Sequence, residues 1–198
     1  MKNHAPRVAS LTGVLCECLG LDDETTHQLV LSAHLHDIGK AGIPEHIIKK
    51  PGSLTPDESR LVRRHPEIGA ATLSGMRYET PAIVALRHHE AWDGSGYSDG
   101  LQGIEIPFAA RVVSVCDVYS ALREDRPYRK GMPHEKTLQI MLNSNEPTAL
   151  CSKFDPSILD VFARYHLLFK RTADQVSDSR SKWLSALTPV ASLLAVYP

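Results

Sequence analysis

Leu35-His36-Asp37-Ile38-Gly39-Lys40 sets an imidazole, a carboxylate and an ammonium close together in the chain. The stretch leading into it, residues 25–38, reads as a helix. Leu29, Leu31, Leu35 and Ile38 recur near helical spacing, and Gly39 supplies the stop. His36 and Asp37 therefore stand where a helix ends. Neighbouring helical side chains diverge by about 100°, so these two converge on one point only if that point is a compact polar site such as a metal. Taken alone, the dipeptide is more often a surface pair; the rest of the chain changes the weighing.

Downstream, Thr55 as N-cap, Pro56 at the first helical position and the acids Asp57 and Glu58 mark a helix start that carries Leu61 and Val62 towards His65. Pro66 breaks the pattern there, and a second helix follows through Ile68, Ala71, Thr72 and Leu73. A further helix, about 81–90, ends in His88-His89-Glu90, two histidines directly after the apolar Ile83, Val84 and Leu86. Next comes 91–100, a glycine-rich loop in which Gly94 and Gly96 would let backbone amides approach a phosphate. The stretch 107–122 is the most apolar helix, with Phe108, Val112, Val115, Tyr119 and Leu122 in one stripe widened by Val113 and Cys116. Asp117 lies in its middle, and a buried carboxylate must coordinate a metal or pair with a cation. Upstream, Val8, Leu11, Leu15 and Cys18 define one face of a first helix, and His4 precedes Val8 on that face. Only Asn3 stands ahead of it as a cap, so this helix is expected to be truncated.

Composition bounds the answer. With 198 residues, one domain over 1–170 followed by a polar, Ser-rich linker and a weak amphipathic helix over 171–198 is the natural division. A net charge of −1 offers no bulk attraction to a nucleic acid polymer or a membrane surface, so an anionic ligand must be held by a local cluster. Cys16, Cys18, Cys116 and Cys151 lack metal-ribbon spacing and suit reduced thiols. No apolar run is long enough to span a bilayer, and the chain is expected to be cytoplasmic.

His4, His36, Asp37, His65, His88, His89 and Asp117 are together too many donors for one tetrahedral site and enough for two metals, with Asp37 the candidate bridge. Nitrogen and oxygen donors without thiolate suit iron, manganese, zinc, cobalt or nickel rather than calcium.

These marks, with Lys50-Pro51-Gly52, His65-Pro66-Glu67-Ile68-Gly69, His88-His89-Glu90-Ala91-Trp92-Asp93-Gly94-Ser95-Gly96-Tyr97, Asp125-Arg126-Pro127-Tyr128-Arg129 and Phe154-Asp155-Pro156, resemble the HD superfamily of phosphohydrolases, and within it the HD-GYP branch of bacterial cyclic di-GMP phosphodiesterases. The resemblance runs from about His4 to about Leu168. It implies an all-α helical bundle with a metal centre in its interior, holding two divalent ions, iron or manganese in first place. It implies hydrolysis of cyclic di-GMP to pGpG or GMP by a metal-activated hydroxide. Position by position, His4, His36, Asp37, His65, His88, His89 and Asp117 match metal ligands, and Asp37 and Lys40 match catalytic positions. Lys40, Gly94, Gly96, Tyr97, Arg126 and Arg129 match positions that hold the dinucleotide.

Three departures stand out. Ser98 replaces the proline that closes the branch's naming motif, and Ser120 replaces a frequent second aspartate. Some members carry a glutamate for a third metal four residues before the counterpart of His4, where this sequence begins, so two metals are expected. Two rival readings stay open: a sensing or docking module that binds cyclic di-GMP or a cyclase partner without turnover, and a hydrolase of another cyclic dinucleotide or nucleotide. An upstream receiver or sensor domain and a homodimer are the further partners the resemblance suggests.

Overall fold

The computed structural model describes residues 4–125, 130–145 and 148–178, and all regular structure in them is helical. The order is α1 (His4–Cys18), α2 (Asp23–Leu35), α3 (Glu45–Ile48), α4 (Pro56–Val62), α5 (His65–Leu73), α6 (Thr80–Arg87), α7 (Phe108–Arg123), α8 (His134–Leu142), α9 (Pro156–Arg164) and α10 (His166–Asp178). Short 3-10 turns occupy Ile38–Gly42, Gly103–Glu105 and Cys151–Lys153. The all-α bundle expected from the sequence is what the chain forms.

Local chemistry sets several helix starts. Asp22 caps α2 by accepting the amide of Thr25 at 2.8 Å. Thr55 and Glu58 cap α4 reciprocally, each side chain accepting the other residue's backbone N–H, with Pro56 at the first position. Asp155 caps α9 through the amide of Ser157. These bonds satisfy amide groups that a helix start would otherwise leave orphaned.

Helix α1 packs on α2, α7 and α10, and α7 also meets α6, α8 and α9. Val8, Leu11 and Leu15 of α1 and Val112, Val115 and Tyr119 of α7 are fully buried in one core with Phe162 and Phe169. The rings of Tyr119, Phe162 and Phe169 meet edge to face. At about 1.5–3 kcal/mol for each large apolar side chain fully buried, this seam holds α7 rigid beneath the polar residues it carries. On the other side, the Ile38–Gly42 turn lies against α5. A Cβ on Gly39 would collide with the carbonyl oxygen of His65 and the amide nitrogen of Gly69, so glycine at 39 is what lets the segment after Asp37 touch the start of α5.

Three local expectations are corrected. The inner face of α2 is Leu29, Ser32, Ala33 and His36, whereas Ile38 is 39% exposed, because the α-helix stops at Leu35 and the chain tightens into a 3-10 turn. Phe108 leaves the α7 stripe for the surface. The boundary expected at residue 170 does not hold, since α10 continues to Asp178 and buries Leu168, Phe169, Ala173 and Val176 at helical spacing. Residues 171–178 thus begin as core helix rather than linker; the amphipathic segment expected further on lies outside the described residues.

Candidate metal centre

Five helices deliver seven donors to one point. His4 opens α1, and Asp117 stands in the middle of α7. His36 ends α2 and Asp37 follows it; His65 opens α5; His88 ends α6 and His89 follows. Each helix end lets a side chain turn inward. Donor atoms of Asp37, His65, His88 and His89 lie within 4.8 Å of one another, and so do those of His4, His36 and Asp37. Asp37 belongs to both groups.

The individual distances show how closely the groups crowd. Asp37 Oδ1 is 3.3 Å from His65 Nε2 and 3.8 Å from His88 Nε2, and Asp37 Oδ2 is 3.4 Å from His36 Nε2. Asp117 Oδ1 is 2.9 Å from His4 Nε2 and 3.7 Å from His36 Nε2. The partner of the largely covered Asp117 is thus a histidine rather than an arginine. Ser120, the departure one turn on, lies 3.2 Å from His4 Nδ1 and orients that ring.

Backbone carbonyls set the tautomers. His36 Nδ1 donates to Ala33 O at 2.6 Å, His65 Nδ1 to Val62 O at 2.7 Å and His88 Nδ1 to Ala85 O at 3.0 Å. A carbonyl can only accept, so Nδ1 carries a proton and Nε2 is the ring nitrogen that each histidine turns to the interior. His65 Nε2 and His88 Nε2 face each other at 3.3 Å, an arrangement that repels unless a cation or a proton lies between them. His36 Nε2 and Asp37 Oδ1 are sealed from solvent with no hydrogen-bond partner. Imidazoles fixed from behind, ring nitrogens and carboxylates converging, and two orphaned buried atoms together fit a metal site.

Electrostatics agree. Burial pushes the carboxyl of Asp37 up, but His36, His65 and His88 hold it well below the usual carboxylate range. Asp117 is likewise held down by His4 and His36 against burial. Burial depresses His88 and His89, the latter to about 2 with His88 adding to the effect, which keeps both as neutral ligands. For His36, burial is outweighed by Asp37 and Asp117, which hold it up at about 9. That cationic preference in the midst of carboxylates marks the demand for positive charge at this spot.

Around the donors, Lys40 Nζ pairs with Asp37 Oδ2 at 2.6 Å and is partly exposed at the rim. The Tyr97 ring stacks on His89, centroids 4.7 Å apart, and its amide donates to His89 O. Burial pushes the Tyr97 phenol up. Gly94 adopts φ +78°, and Gly96 packs so tightly on the backbone of Glu90 and Ala91 that no Cβ fits. Lys40 and Tyr97 therefore touch donor residues, whereas Gly94 and Gly96 shape the loop that carries Tyr97. Arg126 and Arg129 lie outside the described residues.

Two further residues escaped sequence reasoning. Glu90, its side chain wholly buried, accepts the amides of Asp99 at 2.8 Å and Leu101 at 3.0 Å and so fastens the glycine loop to the end of α6. An acid directly after a histidine pair and before a glycine loop was the available signal. Arg63 sets its guanidinium over the Tyr97 ring, 4.7 Å from the centroid. No sequence pattern links those two.

The sequence model of the HD domain family matches residues 1–158. The cyclic di-GMP phosphodiesterase response regulator RpfG of Xanthomonas campestris pv. campestris is 37% identical over 179 residues, 89% of this chain and 46% of that protein. A cyclic di-GMP phosphodiesterase of Thermotoga maritima is 38% identical over 172 residues, covering 81% and 46% respectively. The chain spans about half the length of these relatives. Among solved structures, Bd1817, an HDG"Y"P protein from Bdellovibrio bacteriovorus, matches with a TM-score of 0.64 at 24% identity over 83% of this chain and 51% of that one, a likeness of fold.

Proposed function

The chain belongs to the HD domain family, and from that premise we propose that it is a metal-dependent phosphodiesterase that hydrolyses cyclic di-GMP to pGpG, with GMP as the product of a second cut. Its relatives in Xanthomonas and Thermotoga carry that activity in their names. The observation that carries the reading is the sealed pair of orphaned atoms, His36 Nε2 and Asp37 Oδ1, at the join of two donor groups.

His4, His36 and Asp117 would hold one divalent ion, His65, His88 and His89 the other, and Asp37 both; iron and manganese are the leading candidates, with zinc, cobalt and nickel compatible with the same donors. The chemistry such ions supply is a water made acidic enough to attack a phosphodiester near neutral pH. The protein does the rest. Ala33, Val62 and Ala85 carbonyls keep the imidazoles aimed. The Lys40 ammonium, held at the rim by Asp37, meets the charge that grows on the phosphoryl oxygens. Tyr97 covers His89 and limits water on that side, while Gly94 and Gly96 let the loop backbone come close to substrate. Arg126 and Arg129 would grip the dinucleotide further out. A receiver or sensor domain is the partner proposed for it, as the response-regulator name of the Xanthomonas relative suggests.

The test is elemental analysis of anaerobically purified protein, followed by chromatography of cyclic di-GMP incubated with the same sample. Bound metal and the appearance of pGpG or GMP are expected, with His36→Ala or Asp37→Ala folded and inactive. Retained turnover in either variant overturns the assignment. Metal with tight binding and no turnover would make the chain a sensing module, and faster hydrolysis of cyclic GMP-AMP would change the substrate.

A further inference from the structure

We infer that Arg63 is a substrate-binding residue: its guanidinium receives the phosphate of the dinucleotide that is not being cleaved. The inference deepens the phosphodiesterase reading and rests on it for the identity of the substrate.

Arg63 ends α4, two residues before His65. It is exposed, yet its guanidinium is placed, lying over Tyr97 with its carbon 4.7 Å from the ring centroid. Tyr97 in turn stacks on His89 at 4.7 Å, the rings 24° apart. Tyr97 thus touches both the His89 ring of the donor cluster and the exposed Arg63 guanidinium. The contact sets a positive charge one aromatic ring away from His89. Among the described residues no carboxylate pairs with Arg63, although Lys50, Arg60, Arg87, Arg111 and Arg123 all have acidic partners. A guanidinium that spends one face on an aromatic ring keeps its in-plane N–H groups at the edge. Those groups form a fork that matches phosphate oxygens. A substrate with one phosphate at the donors carries its second phosphate away from them, and Arg63 is a cation beside Tyr97 with no carboxylate partner among the described residues. The phosphate contact would also press the guanidinium onto Tyr97 and hold the loop closed over His89.

The test uses the metal-loaded protein, Arg63→Gln, Arg63→Lys, and Arg64→Gln as a control, because Arg64 is the adjacent exposed arginine with no aromatic contact among the described residues. Equilibrium binding is measured with the hydrolysis-resistant bis-phosphorothioate of cyclic di-GMP. Kinetics are measured with cyclic di-GMP and with bis(p-nitrophenyl) phosphate, which has a single phosphate. Arg63→Gln is expected to weaken binding and raise KM for cyclic di-GMP by about tenfold or more, with kcat within about twofold. Arg63→Lys recovers only part of this, Arg64→Gln none of the loss occurs, and the single-phosphate substrate is cleaved as by the native protein with metal content unchanged. Binding by Arg63→Gln within about twofold of native overturns the inference. So does an equal loss on both substrates or a loss of metal, either of which would make Arg63 a support for Tyr97. If the native protein turned over neither substrate, the hydrolase reading would fall, and the binding comparison would still decide the role of Arg63.

Discussion

His4 and Asp117 lie 113 residues apart in sequence and meet at 2.9 Å, Nε2 to Oδ1, where the start of α1 crosses the middle of α7. The contact pins the first donor group to α7, whose apolar residues lie in the core. His4→Ala is expected to lose metal from that group while the Asp37, His65, His88 and His89 group keeps its own, so metal content falls to roughly half and turnover drops by about 10²-fold or more. Elemental analysis with activity on the same sample checks it; full metal content in the variant would contradict the arrangement.

Glu90 should behave differently, because it holds the loop and not the ions. In Glu90→Gln, one of the two backbone amides of Asp99 and Leu101 faces an NH2 group instead of a carboxylate oxygen, and a partly buried donor loses its partner at a cost of about 1 kcal/mol. The expected result is a raised KM with metal content unchanged and a lowered melting temperature. Loss of metal would show that the loop also shapes the centre.

Gly39→Ala tests the contact between the turn after Asp37 and the start of α5. The added methyl meets the His65 carbonyl and the Gly69 amide, both backbone, so the two segments must part. Destabilisation of about 1–3 kcal/mol or more is expected, with weaker metal retention because Asp37 and His65 move apart. Chemical denaturation and metal titration would show it, and native stability in the variant would rule it out.

A pH dependence independent of the metal centre should come from His134. Its Nδ1 lies 2.8 Å from the Tyr119 hydroxyl and its Nε2 2.9 Å from His166 Nδ1. Burial first, then His166, Arg123 and Lys170, hold its pKa below the usual value, with Glu135 opposing. The folded protein therefore prefers the neutral ring, and the unfolded chain binds the extra proton. This contribution to stability is fully present above the unfolded pKa of about 6.5 and is lost as pH falls through it towards the folded value. Melting temperatures at about pH 7.5 and 5.5 should differ less in His134→Asn, which keeps an acceptor for Tyr119, than in the native protein. An equal difference would place the pH dependence elsewhere.

Much of the centre was legible beforehand because its chemistry is local. His36, Asp37, His65, His88 and His89 announce themselves by standing at helix breaks, where Pro66, Gly39 and the end of an apolar run are readable signals. Asp117 was visible as a carboxylate in an apolar stripe. Glu90 and Arg63 were not, since their partners are a loop backbone and a ring that only folding brings near. The inner face of α2 was misread because apolar spacing favoured Ile38, while burial instead selected Ser32 and His36.

By itself the sequence determined the helical class, the helix start capped at Thr55, and the donor types, because periodicity, capping and ligand chemistry act over a few residues. Only the tertiary structure decided that Asp37 joins two donor groups, that His4 reaches Asp117, that α10 adds Leu168, Phe169, Ala173 and Val176 to the buried residues and that Arg63 lies over Tyr97. Those relationships depend on the close approach of distant segments, which Gly39 against α5 and the apolar seam between α1 and α7 make possible, and no spacing along the chain encodes them.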